Sequence, residues 1–491
     1  MMMKKQTAWL PFLIPLGGLT ACQKEKPAEP NIILILADDM GCNDLTCYRQ
    51  THDRFCPSPP TSQTPNLDKM AGEGIRFTNF YCGAAVSSPS RAVLLTGRNA
   101  TRLGIYNWIP PNQPMHLRNS EITIAELLKQ KGYQTGHFGK WHLTAIDSLQ
   151  PMPSAQGFDY SFWTHNNAEP SHKDPVNFYR NNSPAGPLTG YSCQLVVNEA
   201  IRWLSKRQKN KPFYINVWFN EPHEKCAAPD SLTNRHQYNK EYYGCIENMD
   251  IAIGKLMQYL KEEKLEKNTL IIFSSDNGSE KLYSNYPVKG KKGINLQGGV
   301  RVPFIVRWPG KFPSGAVCDA VGCFTDILPT IADITGIAIP GDRVFDGESL
   351  AAVFIHPADS FHRTKPIFFY RYFNDPICFL REDNWCLVGY EEWYEYTDTV
   401  DLKKLAKFKP APGQPQWSEW SFNEKHMRVI PDQEPKVFEL YDLQKDMYQL
   451  NNIASQYPAI VNQMKEKMMA LKKEMITEGG DWYKNNYMLK K

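Results

Sequence analysis

Apolar runs along this chain stop abruptly at clusters of polar residues. Residues 31–36, Asn-Ile-Ile-Leu-Ile-Leu, predict a parallel strand buried on both faces and end at Asp38-Asp39-Met40-Gly41. Residues 269–273 read the same way and end at Asp276-Asn277-Gly278. Residues 212–219 lead into Glu221-Pro222-His223, and residues 133–138 into Gly139-Lys140-Trp141-His142. Between these runs, Ser88 is placed to N-cap a helix, with Pro89 at its first position. Ala92-Val93-Leu94-Leu95 continue it, and Thr96-Gly97 supply a stop. Late in the chain, residues 367–370 and 385–388 predict antiparallel strands, with a boundary near residues 362–366. Residues 457–475 predict an amphipathic helix whose methionines fill core.

Open α/β sheets collect ligands at the carboxyl ends of their strands, which is where these polar clusters stand. Asp38, Asp39, Asp276 and Asn277 offer only hard oxygen donors, a set suited to calcium or magnesium rather than zinc or copper. Ser87 precedes the predicted helix, whose amides and positive dipole end favour a sulfate-sized anion, and Arg91 adds a cation in the first turn. Read alone, Lys289-Gly290-Lys291-Lys292 is a solvated basic loop or an anion patch.

The stretch Ser87-Ser88-Pro89-Ser90-Arg91, continued by Leu94-Leu95-Thr96-Gly97-Arg98, resembles the activation motif of type I sulfatases. In that family the first Cys or Ser is oxidised to formylglycine. Thr64-Pro65-Asn66-Leu67-Asp68, the block 299–310, Thr325-Asp326-Ile327-Leu328-Pro329-Thr330, Asp346-Gly347-Glu348-Ser349-Leu350 and Glu439-Leu440-Tyr441-Asp442-Leu443 extend the resemblance over nearly the whole mature chain. One departure is Gln297, where the family often has Glu before Gly298-Gly299. The resemblance implies an α/β, alkaline-phosphatase-like sandwich: a large, mostly parallel sheet between helices over residues 31–365, and a smaller subdomain with an antiparallel sheet and terminal helix over 366–491. It implies calcium on Asp38, Asp39, Asp276 and Asn277, and formylglycine from Ser87 made by a Ser-type maturing enzyme. Arg91, Lys140, His142, His223 and Lys292 would surround the sulfate, with His223 as general acid and His142 as base.

Lys4-Lys5, the apolar residues 9–19 and Leu19-Thr20-Ala21-Cys22 resemble a bacterial lipoprotein signal, so residues 1–21 are expected to be removed. Cys22 would be lipidated and residues 22–30 would form a tether, placing an exported protein in a bacterial envelope. An ordinary secretory signal ending near Ala21 is the other reading. Setting Cys22 aside leaves eleven of twelve cysteines, so at least one thiol stays unpaired within a monomer. A net charge of +4 over 491 residues is too mild to predict a nucleic-acid partner. Residues 407–420 form a Pro-rich, Trp-bearing loop that either walls a sugar subsite or covers the surface.

Residues 163–172 lie between the Lys140 and His223 segments without strand or helix periodicity, as rim insertions do. His165, Glu169 and His172 are its candidates for binding sugar hydroxyls. The stretch lacks the dense Arg/Lys content that a polysulfated chain would need. The expected substrate is therefore the non-reducing end of a lightly sulfated glycan, galactose or N-acetylgalactosamine sulfate. A phosphodiesterase or phosphonate hydrolase of the same superfamily, and a glycan-binding lipoprotein without turnover, are the alternatives.

Overall fold

The structure, a computed structural model, describes residues 29–49, 60–145, 150–373, 376–391 and 422–484. The signal segment, Cys22, most of the tether and the loop at 407–420 lie outside them. The strands in chain order are β1 Asn31–Ala37, β2 Ile75–Phe77, β3 Phe80–Tyr81, β4 Gln134–Lys140, β5 Tyr160–Thr164, β6 Tyr179–Arg180, β7 Ser183–Pro184 and β8 Phe213–Trp218. They continue as β9 Thr269–Ser275, β10 Phe304–Arg307, β11 Ala316–Cys318, β12 Gly322–Cys323, β13 Ile367–Tyr370, β14 Cys378–Glu382, β15 Trp385–Tyr390 and β16 Val437–Asp442.

Ten of them form the large sheet, in the order β11-β2-β10-β9-β1-β8-β4-β5-β6-β7. Its centre, β9-β1-β8-β4-β5, is parallel. Antiparallel pairing enters where β10 joins β9 and β2, and at β6 and β7. All four apolar runs are central strands, and their ends moved by a residue or two, as the shift of residues 133–138 to Gln134–Lys140 shows.

Side chains alternate across a strand, so β1 feeds two cores. Ile32, Leu34 and Leu36 enter one buried cluster with the helices Ser87–Thr96, Ile124–Gln130 and Ile327–Thr335. Ile33, Ile35 and Ala37 enter the other, with helices Pro65–Gly72, Ser192–Lys206 and Lys240–Glu262. Each large aliphatic residue sealed this way stabilises the fold by roughly 1.5–3 kcal/mol, which explains strands without a polar face.

The second sheet is antiparallel, β13-β14-β15-β16, and is covered by the helix Pro458–Gly479. Met464, Met468 and Met475 of that helix fill the cluster that also holds Ile32, so the residues on either side of position 365 share one core. Ion pairs of Arg102 with Glu474 and Glu478, at 2.8 and 2.6 Å, tie the helix to the large domain, and Asp346 holds the same guanidinium from within that domain at 2.9 Å.

Candidate active site

Because β1 and β9 are parallel neighbours with Ala37 opposite Ser275, the residues that follow them emerge side by side. Carboxylate oxygens of Asp38, Asp39 and Asp276 lie within 4.8 Å of one another, all three groups buried. Asp39 sits in the left-handed region, φ 67°, a conformation costing about 1–3 kcal/mol that persists where surrounding contacts enforce it. Two such contacts hold it: its own N–H donates to Asp276 Oδ1 at 3.1 Å, and Asn277 Nδ2 donates to Asp39 Oδ1 at 2.6 Å.

Ser87 is the first residue of its helix, and its hydroxyl donates to Asp38 Oδ1 at 3.3 Å. Val86 rather than Ser88 occupies the N-cap, and no side chain caps the helix. Ser88 Oγ instead accepts from the Ile109 N–H at 3.0 Å, so a residue with the right chemistry for a cap is spent on a neighbouring loop. The uncapped, positive helix end therefore faces the Ser87 side chain. Gly97, in the left-handed region, ends the helix as its sequence suggests.

Three cations neutralise the three carboxylates. Arg91, fully buried, donates through Nε and Nη2 to Asp276 Oδ2 at 3.0 and 2.8 Å, and through Nη1 to the Lys140 carbonyl at 3.0 Å. Lys140 Nζ pairs with Asp38 at 2.7 Å and Lys292 Nζ with Asp39 at 2.5 Å. Burial opposes ionisation of Asp38, yet Lys140, His223 and Arg91 outweigh it and hold its carboxyl down at about 2. Asp39 is lowered in the same way, against burial, by Lys292 and His223. Lys292 holds its proton more firmly than usual because Asp39 and Asp38 outweigh its burial. In Lys140 burial and the nearby Arg91 outweigh Asp38, so its proton is held less firmly.

The two histidines are set differently. His142, φ 57°, donates Nε2–H to the Ile109 carbonyl at 3.1 Å, leaving Nδ1 buried as an acceptor without a partner. Burial, reinforced by Lys140 and Arg91, keeps this imidazole neutral well below the usual range, as a proton acceptor requires. His223 is partly exposed; its Nδ1–H donates to the Glu224 carbonyl at 2.8 Å, and Nε2 lies 3.4 Å from Asp39.

A family model described as Sulfatase matches residues 30–337, and one described as N-sulphoglucosamine sulphohydrolase, C-terminal, matches residues 291–407. The chain belongs to the sulfatase family. This sulfatase is 32% identical over 396 residues to the N-acetylgalactosamine-6-sulfatase of Canis lupus familiaris, covering 74% of this chain and 73% of that protein. In fold it is similar to the crystal structure of Ps i-CgsB in complex with k-i-k-neocarrahexaose, with a TM-score of 0.73, 24% identity and coverage of 90% and 93% of the two chains. The phosphonate monoester hydrolase of Agrobacterium radiobacter shares the fold more distantly, with a TM-score of 0.59 and 20% identity over 91% and 96% of the chains. The enzyme is a sulfuric ester hydrolase.

The donors of the sulfatase suit a hard divalent cation. Asp38, Asp39 and Asp276 converge, and Asn277 Oδ1 is a buried oxygen with no hydrogen-bond partner, so an oxygen-seeking ion would satisfy it.

The three candidate sugar contacts separate. His165 follows β5, whose Thr164 pairs with Lys140, and packs edge-on to Trp163 with ring centres 4.8 Å apart. Glu169 is on the surface, paired at 2.8 Å with Lys225, close in sequence to His223. His172 is fully buried, so it lies beneath the rim rather than on it. Its Nδ1 is 3.6 Å from Cys245 Sγ of the helix Lys240–Glu262 and 3.9 Å from Glu221. Burial keeps it from charging despite Glu221.

The sequence reading missed Asp44 and Asn220. Asp44 Oδ2 accepts from Tyr242 Oη at 2.6 Å and from the Gly41 N–H at 3.1 Å, beneath the loop that carries Asp39. Asn220 Nδ2 donates to Thr164 Oγ1 at 3.0 Å, tying the His223 loop to the end of β5. Asp44 stands outside the polar clusters at the strand ends, and Asn220 adjoins one, directly before Glu221, with nothing in its residue type to set it apart there. Burial pushes Asp44 up to about 6 against the hydrogen bonds from Tyr242, Ser284 and Gly41. The folded state thus holds a proton that the unfolded chain releases near 3.8, and stability falls as pH rises from about 4 through about 6, by on the order of 3 kcal/mol. Asp44→Asn should flatten that slope in denaturant titrations run between these pH values; an unchanged slope would contradict the assignment.

Proposed function

We propose that the protein hydrolyses carbohydrate sulfate esters, acting at the non-reducing end on galactose or N-acetylgalactosamine sulfate, with Ser87 matured to formylglycine and calcium held by Asp38, Asp39, Asp276 and Asn277. The observation that carries this reading is Ser87 at an uncapped helix end, in contact with Asp38 and with Arg91, Lys140 and Lys292 on the same carboxylate cluster. The mature residue, once hydrated, would carry two geminal hydroxyls, one to attack sulfur as the sugar oxygen leaves and the other to give up its proton as the aldehyde re-forms and sulfate departs; a serine has only the first. Held by Asp38, Asp39, Asp276 and Asn277, a calcium ion would supply positive charge that stabilises the anionic nucleophile and sulfate group.

The remaining work falls to the chain. Lys140, Lys292 and Arg91 hold the sulfuryl oxygens where water is excluded and their charge counts most. His223, its Nε2 3.4 Å from Asp39, is placed to deliver a proton to the departing sugar oxygen. His142, neutral and with Nδ1 unpartnered, accepts a proton when sulfate is expelled. The carbohydrate substrate is supported by the N-acetylgalactosamine-6-sulfatase relative and by the fold neighbour's oligosaccharide complex. Export and lipid anchoring through Cys22, and maturation by a Ser-type enzyme, complete the proposal on the strength of residues 19–22 and of serine at position 87.

A panel of monosulfated monosaccharides tests the substrate, assayed beside an aryl sulfate and the matching phosphate monoesters. The expected result is turnover of a galactose or N-acetylgalactosamine sulfate at least about tenfold faster, in kcat/KM, than of its phosphate counterpart. His165→Ala should lose about tenfold on the sugar, roughly 1.4 kcal/mol of transition-state binding, while aryl sulfate turnover holds. Preference for phosphate esters would overturn the reaction class, and equal losses on sugar and aryl substrates would remove His165 from the sugar site.

A further inference from the structure

The turn between β14 and β15 and the segment before β13 enclose a cavity of about 360 Å³, lined by Val321, Phe361, His362, Arg363, Arg381 and Asn384 together with Asp383. Two guanidinium groups in its wall are incompletely matched. Arg363 is buried and pairs through Nη1 with Asp326 at 2.6 Å, while its Nε and Nη2 are buried with no hydrogen-bond partner. Arg381, 3% exposed, donates to the Asp383 carbonyl, the Asn79 side-chain oxygen and the Tyr81 hydroxyl. These acceptors are neutral, and among the described residues no carboxylate pairs with Arg381. Buried donors left open and a buried charge without a counter-charge are both unfavourable unless an anion completes them.

A planar guanidinium matches a sulfate-type oxyanion with two parallel N–H donors. The volume exceeds that of one such ion, leaving room for a sugar ring against Val321 and Phe361. At the mouth, exposed Asn384 and the surface pair His362–Asp383, 3.1 Å apart, offer polar groups to hydroxyls. The cavity lies at the opposite end of β13 and β14 from the loop that carries Lys292. β13 and β14 pair Ile367 with Arg381 at this end and Tyr370 with Cys378 at the other, where Arg371 donates to the Gly293 carbonyl beside Lys292.

We propose that this cavity is a second, non-catalytic anion site that takes a sulfate-type oxyanion, borne by a sulfated sugar residue or free in solution. A sugar-borne anion rests on the carbohydrate reading above, whereas binding of the oxyanion does not. Isothermal titration of the full chain carrying Ser87→Ala, which prevents turnover, would use sodium sulfate, galactose 6-sulfate and galactose as separate titrants. Adding Asn384→Trp to block the mouth, or Arg381→Gln to remove the charge, should make the chain bind one equivalent of anion fewer. The same two substitutions with Ser87 intact should leave aryl sulfate turnover unchanged. If Arg381→Gln fails to fold, Asn384→Trp carries the test, since position 384 is an exposed turn. Tighter binding of galactose 6-sulfate by about tenfold or more at this site assigns the anion to the glycan, and equal binding assigns it to the free ion. An unchanged number of equivalents in both variants would overturn the proposal.

Discussion

Ser87→Ala is expected to lower kcat/KM on every sulfate ester by at least about four orders of magnitude, on the scale seen when a catalytic nucleophile is removed, while leaving the fold intact. The two halves of this expectation have separate causes. Activity depends on the Ser87 side chain because it alone occupies the uncapped helix end against Asp38. Stability does not, because the one side-chain hydrogen bond it makes among the described residues, at 3.3 Å, is worth at most about 1 kcal/mol, and Val86 rather than a side-chain hydroxyl is the N-cap of the helix. Steady-state kinetics and thermal unfolding measured side by side check both. A variant that loses activity only in step with its melting temperature would show that Ser87 is structural.

The second large effect is expected at Asp276. Its Oδ2 accepts from both Nε and Nη2 of Arg91, with both side chains fully buried, so Asp276→Asn leaves the guanidinium with only the longer contact to Asp38, at 3.4 Å, at a cost of up to about 3–5 kcal/mol. It also removes one of the three converging carboxylates. The variant should bind less than one equivalent of calcium and lose about three orders of magnitude or more in kcat/KM. A double variant, Asp276→Asn with Arg91→Met, separates these effects. It should recover much of the stability, because no buried cation is left unpaired, and none of the activity. Equilibrium unfolding, metal analysis after dialysis and kinetics on one aryl sulfate decide it. Full calcium content in Asp276→Asn would remove that residue from the proposed ligand set.

The legibility of the chain followed the strength of its local signals. β1 and β9 are apolar on both faces because helices cover both sides of the sheet, and such runs are visible without any knowledge of topology. Their polar sequels were therefore legible as a cluster even though Asp38 and Asp276 are far apart in sequence. What the sequence could not show is which of several similar residues a loop would turn inward. Ser88 has the chemistry of a cap, but its Oγ accepts from the Ile109 N–H instead, because the helix begins two residues earlier, at Ser87. His165 and His172 stand in one polar stretch, yet His172 is sealed beneath Cys245 of a helix that begins 68 residues later, at Lys240. Arg363 and Arg381 carry no motif at all. Their meeting in one cavity depends on the β14–β15 turn folding back over the segment before β13. Asp44 was equally silent, since a single carboxylate in a short helical turn resembles a surface residue until Tyr242 is seen covering it.

The most direct test of the central claim is the mass of the peptide containing residue 87, taken from protein that is releasing sulfate. Formylglycine at this position requires the loss of two hydrogens from Ser87, and the modified fraction should rise in proportion to the rate of sulfate release across preparations from hosts with and without a Ser-type maturing enzyme. Full sulfate release from protein in which Ser87 is entirely unmodified would contradict the account.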